Sequence, residues 1–381
     1  MNPESAQQGK LVLHVFPSFA AGGAQMRFVT LANRLGREFR HAIVALDGDT
    51  SCAGRLDPRL DVGFPEARTE RGRIFGNLPR IHGFLRALRP DLLVTSNWGS
   101  IEWAMANHLP RIPHIHVEDG FGPEERNRQL PRRVWTRRIA LRGSRVVLPS
   151  HTLLTIATTI WNLPGKNLDY IPNGVDLRRF APIPHAPGEV AVIGCVAALR
   201  PEKNLSRLLK AARMVAEHRR VRLIIAGDGP ERPSLTALAA ELGLEVDFRG
   251  NVTDPAPLYR EFDIFALSSD TEQMPLSILE AMASGLPIAS TAVGDIAAMV
   301  APRNLPYLAP CDDGALAQAI MSLLGEEGMA EIGAANRARA EAVYDETLMV
   351  SRWKDLWNGA ISRSLPEPAD RYLPMTAGRA Q

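Results

Sequence analysis

The sequence predicts an α/β protein built as two doubly wound, parallel-sheet domains in tandem, facing each other across a central cleft. Three observations carry this expectation. Short apolar runs alternate with amphipathic helical stretches from one end of the chain to the other. The runs do not themselves alternate apolar with polar residues, which is the pattern of parallel strands covered on both faces. The series breaks once, in the Pro-rich stretch PIPHAPG (182–188), and then starts afresh; 381 residues are also long for one core.

In chain order, LVLHVF (11–16), HAIVALD (41–47), DLLVTSN (91–97), HIHVED (114–119) and RVVLPS (145–150) read as buried strands. Amphipathic stretches at 23–35, 77–88 and 151–161 supply the helices between them. After the break come VAVIGCVAAL (190–199), VRLIIAG (221–227), VDFRGNV (246–252), DIFALSS (263–269) and PIASTAV (287–293). The expected domains are therefore 1–185 and 186–344. A last helix at about 345–363, carrying Leu348, Met349, Trp353, Leu356 and Trp357, belongs to neither array and is expected to pack back onto the first. The tail 364–381 is Pro-rich and polar and is expected to be disordered.

Composition excludes several classes. With 45% hydrophobic and 23% charged residues the chain is ordinary globular sequence, and a net charge of +2 gives no reason to expect nucleic acid as a partner. Cys52, Cys195 and Cys311 are far apart, with no metal-ligand or CxxC spacing, as expected of reduced thiols in the cytoplasm. The segment MNPESAQQGK lacks a signal-peptide profile. No apolar run approaches the roughly 18 residues of a spanning helix. The expectation is a cytoplasmic protein that is soluble or lies on a membrane surface.

Chemistry is concentrated in loops that follow strands. In PSFAAGGAQMRF (17–28), Gly22-Gly23 stands where a strand turns into a helix, and its N–H groups can meet an anion; a tight turn needing glycine explains it equally well. A nicotinamide site is excluded, because no GxGxxG follows the first strand. In ALRPEKNLSRLL (198–209), Arg200 and Lys203 precede a helix that Asn204 is placed to cap, an arrangement suited to a diphosphate or to plain solvation. AGDGPER (226–232) reads as a turn whose Gly227 and Gly229 serve backbone geometry.

TEQMPLSILEAM (271–282) carries two carboxylates, Glu272 and Glu280, on either side of Met274-Pro275. Pro275 suits the first position of a helix. Glu280 then lies among Leu276, Ile278, Leu279, Ala281 and Met282, and a charge there needs a partner. That partner is either a ribose diol or an Arg or Lys of the same domain. N–H groups around Gln273 to Leu276 could meet a phosphate, and Glu272 could take hydroxyls of a sugar. Together these loops describe a nucleotide diphosphate-sugar laid across the second domain, its sugar facing the first.

The ordered series GGAQ (22–25), IPNGVDLRRF (171–180), LRPEKN (199–204), LIIAGDGPER (223–232), VDFRGNV (246–252) and Glu272-x7-Glu280 resembles the retaining GT-B glycosyltransferases of family 4. The resemblance runs from LVLHVF to about Ile361 and implies two Rossmann-like domains, the first on the acceptor side and the second binding the donor. It assigns Arg200 and Lys203 to the donor pyrophosphate, Glu280 to the ribose, Glu272 to the transferred sugar and Gly22-Gly23 to the donor phosphate. It brings the base near Gly250, Asn251 and Val252, adds Met274, Pro275 and Leu276 to the donor set, and implies no metal or other cofactor. Gln273-Met274 stands where the family commonly has Gly-Phe, and Gln25 where it commonly has Glu.

In the first domain HIHVEDGFG (114–122) follows a strand and offers His116, Glu118 and Asp119. The resemblance implies a histidine near the donor sugar; His116 is the candidate, with His114 assigned to the opposite strand face. Asp119-Gly120 reads equally as a turn. Asn97, with Glu118 and Asp119, is a candidate acceptor contact. Residues 125–145 carry arginines at 126, 128, 132, 133, 137, 138, 142 and 145, interspersed with Val134, Trp135, Ile139 and Leu141. They read either as a basic amphipathic segment docking on anionic lipid or as a solvated face. The resemblance implies a glycan or lipid-linked acceptor in polysaccharide or lipopolysaccharide synthesis, with UDP or GDP as the donor base. A non-catalytic sugar-nucleotide or glycan-binding protein on the same scaffold and a UDP-sugar 2-epimerase are the competing readings.

Overall fold

The strands are all parallel and fall into two sheets. The computed structural model describes residues 9–70, 73–108, 111–125, 128–182 and 188–362. The N-terminal residues 1–8, residues 183–187 of the Pro-rich break, Arg126 and the tail 364–381 lie outside the described residues.

The first sheet contains β1 (Lys10–Phe16), β2 (Phe39–Ala45), β3 (Val62–Gly63), β4 (Leu92–Ser96), β5 (His114–Val117), β6 (Arg145–Leu148) and β7 (Leu168–Tyr170), in the order 3-2-1-4-5-6-7. The second contains β8 (Ala191–Val196), β9 (Val221–Ala226), β10 (Val246–Gly250), β11 (Ile264–Leu267), β12 (Ile288–Thr291) and β13 (Leu308–Ala309), in the order 10-9-8-11-12-13. In each sheet the order reverses once, between β1 and β4 and between β8 and β11. Those reversals leave crevices at the carboxyl ends of the strands, where open α/β sheets bind ligands.

Both faces of each sheet are covered, which is why the strand sequences do not alternate. In β9, Ile225 packs with Leu208, Leu209 and Leu235 on one side, while Ile224 packs with Phe265, Ile278 and Leu279 on the other. The helix Glu346–Ser362 returns to the first domain. Its Met349, Trp353, Leu356, Trp357 and Ile361 are buried against Val12, Leu92, Val94 and Ile115. Residues four apart on a helix share a face, so Trp353 and Trp357 enter one core together.

Two local expectations are corrected. Pro275 is not the first helical residue: its ψ of 126° leaves it extended, as the residue before the helix Leu276–Ala283. The two-residue strands β3 and β13 and the three-residue β7 are too short to register as a pattern. At Gly227 the backbone reading holds, since φ is +133° and a Cβ would fall 1.9 Å from the Ala197 carbonyl oxygen.

Candidate active site

The basic loop leaves β8 at the second crevice. Arg200 enters a single tight turn, Pro201–Lys203, and Asn204 (φ +43°) closes it and caps the helix Leu205–Ala216. This turn sends Lys203 across the crevice to the loop after β11, where its Nζ lies 2.5 Å from Glu272 Oε1. The Ser269 hydroxyl donates to the same oxygen at 2.7 Å. Arg207 fixes the loop from below by donating to the Ser268 carbonyl at 2.7 Å and pairing with Asp270 at 2.8 Å. Arg200 is exposed and its side chain makes no ion pair among the described residues.

Glu280 is held differently. No cation forms a salt bridge with it among the described residues; its partner is Tyr259, whose hydroxyl donates to Oε2 at 2.7 Å. Burial pushes the Glu280 carboxyl up to about 7, against the opposing pull of the Tyr259 hydrogen bond and the Arg179 charge. The carboxylate keeps an edge on a small cavity of about 80 Å³, shared with Arg27, Asn173, Asp176 and Arg179. Neither Asn251, which is exposed, nor Val252, which packs on the second core, lines that cavity.

The first domain meets this site at its own crevice. Gly22 is extended and Gly23 opens the helix Gly23–Leu35; a methyl group on Gly23 would already touch Leu276. The N-termini of the helices Gly23–Leu35 and Leu276–Ala283 therefore approach each other, both with free N–H groups. Asn97, with φ +58°, accepts the Asp119 N–H at 2.7 Å. Asp119 is gripped by Arg27 at 2.5 and 2.9 Å, and Arg27 also donates to Asn173. Asn173 in turn donates to the Met274 carbonyl at 3.1 Å, and its N–H meets the Met274 sulfur. Asn97 and Asp119 thus shape a relay from the first domain to the loop after β11 in the second.

His116 and Glu118 are placed elsewhere than expected. Both are fully buried, and neither lines the cavity at Glu280. His116 Nδ1 shares the Thr95 hydroxyl with His114 Nε2, each at 2.8 Å. Residues two apart on a strand share a face, so His114 lies on the same face as His116 and not on the opposite one. Glu118 is bonded by the buried guanidinium of Arg137 at 3.1 Å.

The same guanidinium donates to both oxygens of Glu125, and Arg133 joins it there. Arg137 is enclosed by Trp98, Phe121 and Trp161 at 4.9 to 5.3 Å. Arg145 pairs with Asp169, and Arg138 donates to the carbonyls of Ile160 and Trp161. Four of the arginines in 125–145 are thus engaged within the first domain, while Arg128, Arg132 and Arg142 are exposed.

Between the domains lies a cavity of about 1040 Å³. Glu202, Thr271, Glu272 and Gln273 line it from the second domain, and the helices Pro131–Ala140 and His151–Thr159 wall it from the first. A residue unforeseen from sequence holds these walls together. Asp295 caps the helix His151–Thr159, accepting from the N–H groups of His151 and Thr152 and the Thr152 hydroxyl. Its own N–H bonds the Gln273 carbonyl, and Ser150 donates to the Gln273 side chain at 3.2 Å. Tyr259, which holds Glu280, is equally unforeseen from sequence. Asp295 follows a strand end, the same signal that marked the other loops, and could have been found by it.

Two doubly wound domains that close their carboxyl edges on a shared cleft define a GT-B glycosyltransferase. Residues 21–179 match the model of Glycosyltransferase Family 4 and residues 190–326 that of Glycosyl transferases group 1. A putative glycosyltransferase of Bacillus subtilis, EpsF, is 35% identical over 303 residues, 73% of this chain and 78% of that protein. A GDP-mannose-dependent alpha-mannosyltransferase of Mycolicibacterium smegmatis is 25% identical over 65% of this chain and 68% of its own. Among solved structures, a Rickettsia africae glycosyltransferase superposes with a TM-score of 0.76 at 20% identity, covering 93% of this chain and all of its own. Anabaena HepE in complex with UDP gives 0.77 at 19%, covering 92% of this chain and all of its own. The chain belongs to the group 1, family 4 glycosyltransferases.

Among the described residues no helix is long and apolar enough to cross a membrane.

Proposed function

We propose that the chain is a retaining glycosyltransferase that moves a sugar from a nucleotide diphosphate-sugar to a glycan or lipid-linked acceptor in cell-surface polysaccharide or lipopolysaccharide assembly. The observation that carries this reading is the Lys203–Glu272 pair at the β8/β11 crevice, with Arg200 three residues before it. Departure of the diphosphate builds negative charge, which two cations and the N–H groups before Leu276 oppose. On donor binding Lys203 exchanges Glu272 for phosphate oxygen, and the freed carboxylate accepts hydroxyls of the sugar. Glu280 accepts the ribose diol, Gly22-Gly23 approaches the phosphate, and Asn251-Val252 flank the base.

The bond from the anomeric carbon to the phosphate oxygen breaks as the acceptor oxygen bonds on the same face, and the leaving oxygen takes the acceptor proton. The chain's own cations take the role of a metal, so activity is expected to survive chelation. Asn97 and Asp119 position the acceptor edge; His116 and Glu118, being buried, act at most through their neighbours. We place the protein in the cytoplasm, with peripheral contact to anionic membrane through Arg128, Arg132, Arg142 and the exposed Trp135 and Ile139, which flotation with anionic liposomes tests.

GDP-mannose and UDP-sugars are the first donors to try, given the names of the relatives above. Thermal-shift binding of UDP, GDP and their sugar conjugates, repeated with Glu280→Gln and Lys203→Ala, tests the donor site; the anomeric coupling of the transferred sugar tests retention. A shift for one nucleotide that both substitutions abolish supports the reading. No shift in folded protein would favour the non-catalytic scaffold, and acceptor-free conversion of a UDP-sugar would favour the epimerase.

A further inference from the structure

One side chain of the loop after β11, Gln273, crosses the cleft to the first domain. Its main chain is clamped from behind. The Asp295 N–H donates to the Gln273 carbonyl at 3.1 Å, and the turn at Gly294 (φ +56°) lies so close that a Cβ there would fall 2.1 Å from the Glu272 carbonyl oxygen. From this fixed point the side chain reaches over the turn at Gly120, where an added Cβ would come 3.4 Å from Gln273 Cγ. At its tip Oε1 accepts the Ser150 hydroxyl at 3.2 Å.

That hydroxyl sets which way the amide faces. Ser150 Oγ already accepts the Leu153 N–H, so its proton is what it has left to give. Taking the proton turns Oε1 toward Ser150 and leaves Nε2, with two N–H donors, bonding nothing among the described residues. Gln273 is half-buried and lines the large cavity, which is where such donors can be answered.

Glu272 beside it is the complement. Lys203 and the Ser269 hydroxyl both use its Oε1, and Oε2 bonds nothing among the described residues. Consecutive residues lining one cavity thus offer a free acceptor and free donors. Two adjacent hydroxyls of a sugar ring match them, one giving its proton to the carboxylate and its neighbour accepting from the amide. A sugar carboxylate does not match, because Glu272 repels it. A glycine at this place would bring no side-chain donor at all.

We infer that Gln273 is a specificity-determining residue for the transferred sugar. Its Nε2 donates to the hydroxyl next to the one that Glu272 accepts, which selects a neutral hexose with both hydroxyls free. This rests on the donor-site reading above and adds to it the class of sugar.

The test is calorimetry on the full chain with UDP and GDP and with UDP-glucose, UDP-galactose and GDP-mannose, followed by the monodeoxy forms of the conjugate that binds. Gln273→Met keeps the length of the side chain without its donors, and Gln273→Gly removes it. Both should weaken the conjugate at least about fivefold, the loss of one hydrogen bond. The Kd of the bare nucleoside diphosphate should stay within about twofold of wild type, which also reports that the variants fold. One monodeoxy form should bind wild type at least about fivefold more weakly than its parent. It should bind Gln273→Met as well as the parent does, because the contact it lacks is already gone.

A conjugate that binds both variants as tightly as wild type overturns the inference. So does an equal loss for the conjugate and the bare nucleotide, or a deoxy penalty undiminished in Gln273→Met. In those cases nucleotide binding by the wild type stands, and the donor-site reading with it. Folded wild-type protein that binds no nucleotide removes the donor site itself, and the role of Gln273 falls with it.

Discussion

Asp295 of the second domain caps a helix of the first, taking the Thr152 N–H at 3.0 Å and the Thr152 hydroxyl at 2.7 Å, together with the His151 N–H. A carboxylate at a helix N-terminus satisfies orphan donors and meets the positive end of the dipole. Because the Asp295 N–H also holds the Gln273 carbonyl, the loop that carries Glu272 and the helix that walls the cavity are one mechanical unit.

Replacing Asp295 with Ala should therefore lower stability by about 1–2 kcal/mol, the usual loss for a cap. The more informative readout is kinetic. The acceptor KM should rise while the Kd for the donor nucleotide stays near that of the wild type, since Lys203 and Glu280 are untouched. A lower melting temperature with an unchanged acceptor KM would reduce Asp295 to a purely structural cap.

Lys203→Ala removes the cation that Glu272 now holds and that the diphosphate would take. A charge-assisted contact contributes about 1.5–3 kcal/mol, so the Kd for the nucleoside diphosphate should rise roughly 10- to 100-fold. Stability should change less, because Ser269 still bonds Glu272. Titration of the nucleotide by calorimetry decides it, and an unchanged affinity would detach Lys203 from the phosphate.

In the proposed donor site, Glu280 links nucleotide binding to pH. Its carboxyl is raised from the usual 4.5 to about 7 in the folded protein, chiefly by burial. The folded state therefore holds a proton that the unfolded chain has already lost, and stability falls as pH rises from about 4.5 through 7. The full effect is up to about 3 kcal/mol. Glu280→Gln should remove this slope and melt higher than the wild type above pH 7. If the carboxylate accepts the ribose diol, wild-type donor affinity should grow between pH 6 and 8, and the Gln variant should bind weakly throughout. Thermal melts at pH 6 and 8, with and without nucleotide, separate the two effects.

What the sequence made legible follows from range. Strands such as Lys10–Phe16 and the helix Gly23–Leu35 are local patterns of apolar residues, and their periodicity is written in consecutive positions. The approach of Lys203 to Glu272 was also readable, because both follow strands at a crevice and parallel sheets put such loops on one edge. The partner of Glu280 was not: Tyr259 lies 21 residues upstream in another element, and its hydroxyl is no different in sequence from that of any core tyrosine. His116 misled because a histidine at a strand end suits chemistry, whereas burial and the Thr95 hydroxyl claim it. The arginines of 125–145 misled in the opposite sense. Their charge suggested an outer face, yet Glu118, Glu125 and the rings of Trp98 and Trp161 draw Arg137 inward.

That inward arginine gives the sharpest stability test. Arg137 is fully buried and bonds Glu118 and Glu125, themselves buried, so Arg137→Ala strands Glu118 away from water and leaves Glu125 to Arg133 alone among the cations. Breaking a buried ion pair from one side costs about 3–5 kcal/mol, far more than the net contribution of the pair itself. Arg132→Ala, on the exposed side of the same helix, should stay within about 0.5 kcal/mol of the wild type. Urea unfolding of both variants measures the contrast. The triple change Arg137→Met, Glu118→Gln, Glu125→Gln should recover part of the loss, because the uncompensated charges go with the cation. If Arg137→Ala unfolds at the wild-type midpoint, the buried network is not what holds the helix Pro131–Ala140 against the rest of the first domain.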